Sequence, residues 1–309
     1  MKALLLAAGL GTRLRPFTFH RAKAALPLLN VPFIHYPLQY LYTQPVSDVV
    51  INLHAHPDSV RQAAGDRYRN LHIHYSHEPE ILGTAGAIRK ALPMLGDRPF
   101  AIMNGDMLVD IPLQTALEQH LRYDADITLV VMKNESYTRY NGLRFVQPES
   151  GPPVLSGIRE GDGERYHYTG VQIVSPRIVS LIPENQKCEI FLDIYPQLIR
   201  KSSIHGFLYE GLWMEIGTLK EYLRTSLHLL SEPLPEPLRP PGMGSNLISP
   251  QAAVKGEVVE SIVMDGAVIQ PGTSVVHSII GWDVAVSRSW KNVALARGNL
   301  PWYINERHT

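Results

Sequence analysis

The sequence predicts an α/β fold: a three-layer α/β sandwich over residues 1–230, a proline-rich linker at 231–246, and a short parallel β-helix with its tail at 247–309. Three observations carry that prediction. Apolar runs of strand length alternate with amphipathic stretches as far as Met132, the pattern of parallel strands joined by crossover helices. Five prolines crowd the stretch from Ser231 to Asn246, which favours an extended, poorly packed connector. Beyond it Ile262, Val268, Ser274, Ile280 and Val286 recur at every sixth position, with Asp265-Gly266 and Pro271-Gly272 as turns between them. That period marks stacked short strands, with Ser274 interrupting the aliphatic series; a plain antiparallel β extension is the alternative.

The elements follow in order. Met1 to Leu6 is a short apolar run, read as a buried first strand rather than a secretory leader because Arg13 and Arg15 interrupt its continuation. Strands are then expected at Asp48 to Leu53, Leu71 to Tyr75, Phe100 to Met103 and Asp126 to Met132, with helices at Pro57 to Arg69, Ala85 to Leu95 and Pro112 to Tyr123. Ligands bind at the carboxyl ends of strands in such sheets. Gly9 and Gly11 stand at one such end, and Asn104-Gly105-Asp106 at another.

Composition narrows the function. The chain has 309 residues, with 29 basic and 29 acidic side chains, so no basic face for nucleic acid is indicated. Its single cysteine, Cys188, excludes an intramolecular disulfide and fits a reducing compartment; no apolar run is long enough to span a bilayer. A cytoplasmic enzyme is the expectation. The histidines at positions 54, 56, 72, 74 and 77 invite a zinc site, but they lack a supporting cysteine or a helical His-x-x-x-His pair and fit a polar strand face better.

The turn after the first strand reads Ala8-Gly9-Leu10-Gly11-Thr12-Arg13. Two glycines let the backbone approach a ligand closely, Thr12 adds a hydroxyl, and Arg13 adds a forked cation suited to phosphate oxygens. Lys23 supplies a movable point charge. A Walker loop would end in Gly-Lys-Ser/Thr, which is absent here. A dinucleotide fingerprint would place a third glycine where Leu14 stands and an acid near residues 30–36. Asp106, just past a buried strand, is placed to reach a divalent metal on a polyphosphate, and Glu215 lies in a run that a strand would partly bury, where a lone carboxylate needs a cation. Gly83 and Thr84 open a helix whose Ala85 and Ala87 are small enough to admit a flat ring.

Taken together, Leu4 to Pro16, Lys23, Leu82-Gly83-Thr84-Ala85-Gly86, Asn104-Gly105-Asp106 and Trp213 to Thr218 resemble the sugar-phosphate nucleotidyltransferases. The resemblance covers nearly the whole chain. It implies a Rossmann-like α/β/α domain, a left-handed β-helix, and attack of a sugar 1-phosphate on the α-phosphorus of a nucleoside triphosphate. Carried onto this sequence, Leu6, Ala7, Ala8, Gly9, Gly11, Thr12 and Arg13 would bind the nucleotide with Glu78, Gly83 and Thr84. Arg13 would stabilise the departing pyrophosphate and Lys23 would neutralise the α-phosphate, making these two, with Asp106, the catalytic residues. Asp106 and Glu215 would hold Mg2+, while Gly142, Thr169 and Gly170 would close on the sugar phosphate.

Three departures stand out. The family's Pro-Lys-Pro is Ala22-Lys23-Ala24 here, which keeps the charge and loses the stiff backbone that aims it; the second metal acid is Glu215 rather than aspartate; and no Glu-Lys-Pro segment lies between Val154 and Tyr168, where Arg159 is the available cation. The missing Glu-Lys-Pro segment, together with Tyr168-Thr169-Gly170-Val171, leans toward the branch resembling mannose-1-phosphate guanylyltransferases and N-acetylmuramate-1-phosphate uridylyltransferases. Uridylyl or thymidylyl transfer to another sugar is one alternative, and a nucleotide-sugar sensor without turnover is another. A hexapeptide acyltransferase ranks below these, since only His277 lies in the hexad region. Short coils leave stackable ends that need covering, so a homo-oligomer joined through the β-helix is expected.

Overall fold

The computed structural model describes residues 1–133, 142–184, 186–201 and 203–304. The chain forms two compact units: Met1–Ala8, Tyr40–His54 and Gly65–Trp213 make the first, and Gly9–Gln39, Ala55–Ala64 and Met214–Thr309 the second. Residues 231–246 therefore lie inside the second unit.

A ten-stranded sheet organises the first unit. Its centre is parallel: the strand Lys2–Leu6 lies between Phe100–Asn104 and Asp48–Leu53, and Leu71–His77 pairs outside the latter. Ala3, Leu4 and Leu5 are all buried, which is why the first strand reads as a continuous apolar run rather than an alternation. Apart from His77, exposed at its end, the strand Leu71–His77 alternates, with His72 and His74 on its exposed face. These histidines take separate partners: His72 Nε2 meets the Arg67 guanidinium at 2.9 Å and His74 Nε2 meets Asp48 Oδ1 at 3.1 Å.

The other half of the sheet corrects the expectation of a parallel array. Glu164–Val174 inserts between Phe100–Asn104 and Ile127–Lys133 and runs antiparallel to both, while Ile204–Leu208 returns parallel to Ile127–Lys133. An antiparallel insertion needs no crossover helix, so it leaves no helical stretch before it in the sequence. Helix Gly83–Leu95 packs on the parallel strands through Ala85, Ile88, Ala91 and Leu95, in one core with Leu4, Val50, Phe100 and Ile102.

In the second unit, helix Leu219–Ser231 is capped by Thr218, whose Oγ1 accepts from the Glu221 amide at 3.2 Å. The connector after it is extended but pinned. Gln39 Nε2 donates to Pro237 O at 2.6 Å and the Gly244 amide to Leu29 O at 2.7 Å. Three stacks of short parallel strands follow. Ala253–Val254, Val268–Ile269 and Ala285–Val286 form one, Glu257–Val259, Ser274–Val276 and Trp290–Lys291 the next, and Ile262–Val263, Ile279–Ile280 and Val293–Leu295 the third.

Ile262 pairs with Ile279, and Ile279 with Ala294, so a strand meets its partner a full three-strand coil later rather than at the next hexad. The inward residues are Val263, Ile269, Val275, Ile280 and Val286. For the first three hexads this is one residue later than the sequence series, because neighbouring side chains on a strand point to opposite sides. Ser274 therefore interrupts nothing: Val275 holds the core position, fully buried.

Candidate active site

The sequence-predicted residues divide between the units. Leu6, Ala7, Ala8, Glu78, Gly83, Thr84, Asp106, Gly142, Thr169 and Gly170 belong to the first; Gly9, Gly11, Thr12, Arg13, Lys23 and Glu215 belong to the second.

In the first unit, the end of the first strand is fixed by a buried polar chain. The Ala7 amide donates to Asn52 Oδ1 at 2.7 Å, Asn52 Nδ2 donates to Glu78 Oε1 at 2.8 Å, and the Leu82 amide donates to Glu78 Oε2 at 3.1 Å. Glu78 is 1% exposed. Its carboxylate thus braces the strand end against the helix start, an occupation different from the base contact the sequence suggested. Asn52 went unmarked in the sequence reading, although a lone amide in the otherwise apolar run from Val49 to Leu53 is a visible signal of a buried hydrogen-bond partner.

The helix start at Gly83 is also occupied by the chain itself. The Ala85 and Gly86 amides donate to Cys188 O at 3.0 and 3.3 Å, and the Thr84 amide to Glu189 Oε2 at 3.3 Å. Gly83 has φ +71°, and a Cβ there would lie 2.6 Å from Cys188 O. Ala85 and Ala87 are buried, with Ala85 in the hydrophobic core, so their small size serves packing. Burial and the neighbouring Asp193 carboxylate push the Cys188 thiol up, keeping it neutral.

Asp106 is half-buried just past the strand Phe100–Asn104. Thr169 is fully buried; its Oγ1 donates to Val130 O at 2.9 Å and its carbonyl accepts from Trp213 Nε1 at 2.9 Å. It sits with Gly170 where the Glu164–Val174 strand breaks register with Ile127–Lys133. Gly142 O accepts from the Arg159 amide at 2.8 Å, so these two sequence candidates lie together; Tyr140 and Asn141 lie outside the described residues.

The second unit assembles the cations. Gly11 caps the 3-10 turn Thr12–Leu14 with φ +60°, and Thr18 Oγ1 donates to its carbonyl at 2.8 Å. A Cβ on Gly11 would lie 3.3 Å from Lys23 Cβ, so loop and lysine are neighbours. Gly9, Thr12 and Arg13 are exposed, and Lys23 is half-buried. The Arg13 guanidinium lies against Gly217, with Nη1 3.1 Å from where a Cβ would stand. Gly217 is two residues beyond the half-buried Glu215, and its amide donates to Glu221 Oε2 at 2.9 Å. The glycine-rich loop and the Trp213–Thr218 motif thus meet through Arg13.

The backbone around Lys23 also corrects an expectation. Ala22 has φ −62°, its amide donates to Ser59 Oγ at 3.0 Å, and Ser59 Oγ donates to His56 O at 2.7 Å. A proline at Ala22 could not make that bond. The stiffness that a ring would supply is provided by a hydrogen bond from helix Pro57–Ala64, and nothing in the local sequence marked Ser59 for it.

The first strand of the α/β sheet leads into a glycine loop carrying Arg13, with Lys23 beside Gly11, and that pair of cations has the chemistry that suits phosphate. The family follows from comparison: the chain matches the nucleotidyl transferase family over residues 2–232 and belongs to it. It is 31% identical over 327 aligned positions to a mannose-1-phosphate guanyltransferase of Yarrowia lipolytica, covering 95% of this chain and 89% of the relative. Its fold is shared with a glucose-1-phosphate thymidylyltransferase described as putative, from Bacillus anthracis, at TM-score 0.65 and 20% identity, covering 77% of this chain and 98% of the other. A UDP-glucose pyrophosphorylase in complex with UDP-glucose superposes at TM-score 0.64 and 19% identity, covering 75% and 98%. The chain is an enzyme of the nucleotidyltransferase type.

Proposed function

We propose that this enzyme transfers a nucleoside monophosphate from a nucleoside triphosphate to a sugar 1-phosphate, releasing pyrophosphate and an NDP-sugar, with GTP and mannose 1-phosphate as the favoured pair. The name and coverage of the Yarrowia relative support that pair. The observation that carries the reading is Arg13 against Gly217, which joins a phosphate-type loop to the motif holding Glu215.

A sugar phosphate is already an anion, so the reaction needs no strong base; orientation and charge neutralisation do the work. Gly9, Gly11 and Thr12 cradle the phosphates, Arg13 takes charge developing on the pyrophosphate, and Lys23 meets the α-phosphate. The family resemblance sets Gly83 and Thr84 beside the base; here the Thr84, Ala85 and Gly86 amides bond Glu189 and Cys188, so that helix start would serve as a pocket wall, and Glu78 braces the strand end. Gly142, Thr169 and Gly170 approach the sugar phosphate through backbone, with Arg159 as a nearby cation.

Among the described residues no cluster of three or more histidine, cysteine or acidic side chains could hold a metal. Mg2+ does not require one, since it takes one or two carboxylates and completes its shell with phosphate oxygens and water. Asp106 in the first unit and Glu215 in the second are each half-buried hard oxygen donors of the kind it takes, and the family resemblance is what assigns both to it. When bound, it would offset negative charge on the phosphates.

The three parallel stacks are read as a left-handed β-helix that follows a Rossmann-like three-layer domain of residues 1–230 in the chain, and the coils as the site of homo-oligomer formation. No helix among the described residues is long and apolar enough to cross a membrane. The lone free cysteine, Cys188, suits the cytoplasm.

Pyrophosphate release measured over a matrix of nucleoside triphosphates and sugar 1-phosphates tests the proposal. Turnover is expected for one pair above the rest, GTP with mannose 1-phosphate. Binding without turnover on every pair would identify a sensor instead.

A further inference from the structure

The limb of chain between Arg13 and Lys23 does not stand alone. Phe17, 1% exposed, meets the edge of Trp282 at 6.3 Å with the rings 83° apart. A Cβ on Gly281 would lie 2.9 Å from Phe17 Cε1, so the coil backbone is as near as an unsubstituted residue allows. Gly281 is itself stitched into the coil, its amide donating to Leu295 O at 2.8 Å. The Arg21 guanidinium stacks 4.4 Å above the Trp282 ring, and Phe19 meets Trp302 edge-on at 6.1 Å. From Phe17 the contact continues to the site. Its neighbour Thr18 donates to Gly11 O at 2.8 Å, and Gly11 abuts Lys23.

We propose that the C-terminal coil is a working part of the nucleotide site, with Gly281 and Trp282 as positioning residues that hold the Phe17 limb and, through it, set the spacing of Gly11 and Lys23. Two physical arguments support this. Thr12 and Arg13 are exposed, so apart from the Arg13 contact at Gly217 the loop is held from its inner side, where Thr18 bonds Gly11 O. An edge-to-face aromatic pair and a stacked guanidinium are directional contacts, and they fix a limb's orientation as well as its depth. The proposal rests on the nucleotidyl transfer reading for what the loop binds, but its geometry lies entirely within the second unit.

The test combines calorimetric titration of GTP with steady-state pyrophosphate release, on the full chain, for Trp282→Ala, Gly281→Ala, Trp282→Phe and Trp290→Ala. Trp290 is a coil tryptophan packed on the coil core with the Arg288 guanidinium 4.1 Å over its ring, and serves as the control for loss of coil packing. Trp282→Ala and Gly281→Ala are expected to weaken GTP binding and raise its KM roughly tenfold, with particle mass like the parent's and a melting temperature lowered by a few degrees, since a methyl at Gly281 also presses on Leu295 O. Trp282→Phe keeps an edge contact and should recover most of the loss. Trp290→Ala should match the parent. If Trp282→Ala fails to fold, Gly281→Ala and Trp282→Phe decide alone. Parental GTP affinity in both Trp282→Ala and Gly281→Ala, or an equal loss in Trp290→Ala, overturns the proposal. A parent that binds GTP yet turns over no sugar 1-phosphate counts against the nucleotidyl transfer reading and leaves the calorimetric comparison valid.

Discussion

The helix start at Gly83 and the loop from Gly9 to Arg13 are both glycine turns placed after a strand, yet they differ in what fills the space beside them. At Gly83 the chain fills it: Cys188 O would lie 2.6 Å from an added Cβ, and the Thr84, Ala85 and Gly86 amides all have protein acceptors. At Gly9 an added Cβ would meet no atom within 4 Å, and Thr12 and Arg13 face solvent. The first glycine is demanded by the fold. No protein atom crowds the second, and the proposed nucleotide would supply a reason for it.

That contrast can be broken most forcefully at Gly83. Gly83→Ala forces a side chain into the left-handed region and against a carbonyl, so unfolding free energy should fall by about 4 kcal/mol or more. Urea denaturation with a midpoint like the parent's would mean that the helix start relaxes and is not built as described.

Acid should expose the self-satisfied character of the first unit next. His120 is 1% exposed, with its ring nitrogens 2.9 Å from Thr128 Oγ1 and Ser175 Oγ. Burial, reinforced by Arg177, lowers its pKa from 6.5 to about 4, so the fold stabilises the neutral ring. That contribution, on the order of 3 kcal/mol, is present above pH 6.5 and is lost as pH falls toward 4. Denaturation midpoints measured between pH 7 and 4 should decline in the parent and decline less in His120→Gln. Parallel curves would show that other groups govern the acid response.

The smallest effect belongs to Ser59. Ser59→Ala strands the buried Ala22 amide and should lower kcat/KM by about fivefold, the worth of roughly 1 kcal/mol. Ser59→Thr should hold most of the activity. Adding Ala22→Pro to Ser59→Ala should restore it, because proline needs no acceptor and φ −62° suits its ring. If the double variant is worse than Ser59→Ala, the hydrogen bond does more than stiffen the backbone.

Local signals explain which parts of the fold were readable from the sequence. The strands at Asp48–Leu53, Leu71–His77 and Phe100–Asn104 and the helices Gly83–Leu95 and Leu113–Arg122 announce themselves through apolar runs and amphipathic spacing. Glu164–Val174 did not, because its place depends on partners far away in the chain, Met103 and Val131 among them. The coil period was legible while its phase was not: a hexad with aliphatic residues at adjacent positions, such as Ile262-Val263 or Val268-Ile269, fits either side facing inward. In the site, Gly9, Arg13 and Lys23 were marked by their chemistry. Ser59 was invisible, since a serine early in a helix carries no sign of which distant amide it will accept. Glu78 was seen while its bonds to Asn52 and Leu82 were not, because sequence does not show which groups a carboxylate turns toward.

The central claim is that the open space at Gly9 belongs to a nucleotide. Gly9→Ala tests it directly through two readings on one protein, the melting temperature and the rate of pyrophosphate release from GTP with mannose 1-phosphate. The account predicts an unchanged melting temperature, because the methyl group meets no protein atom within 4 Å, and a fall in kcat/KM of about tenfold or more. A Gly9→Ala enzyme that turns over like its parent would contradict it.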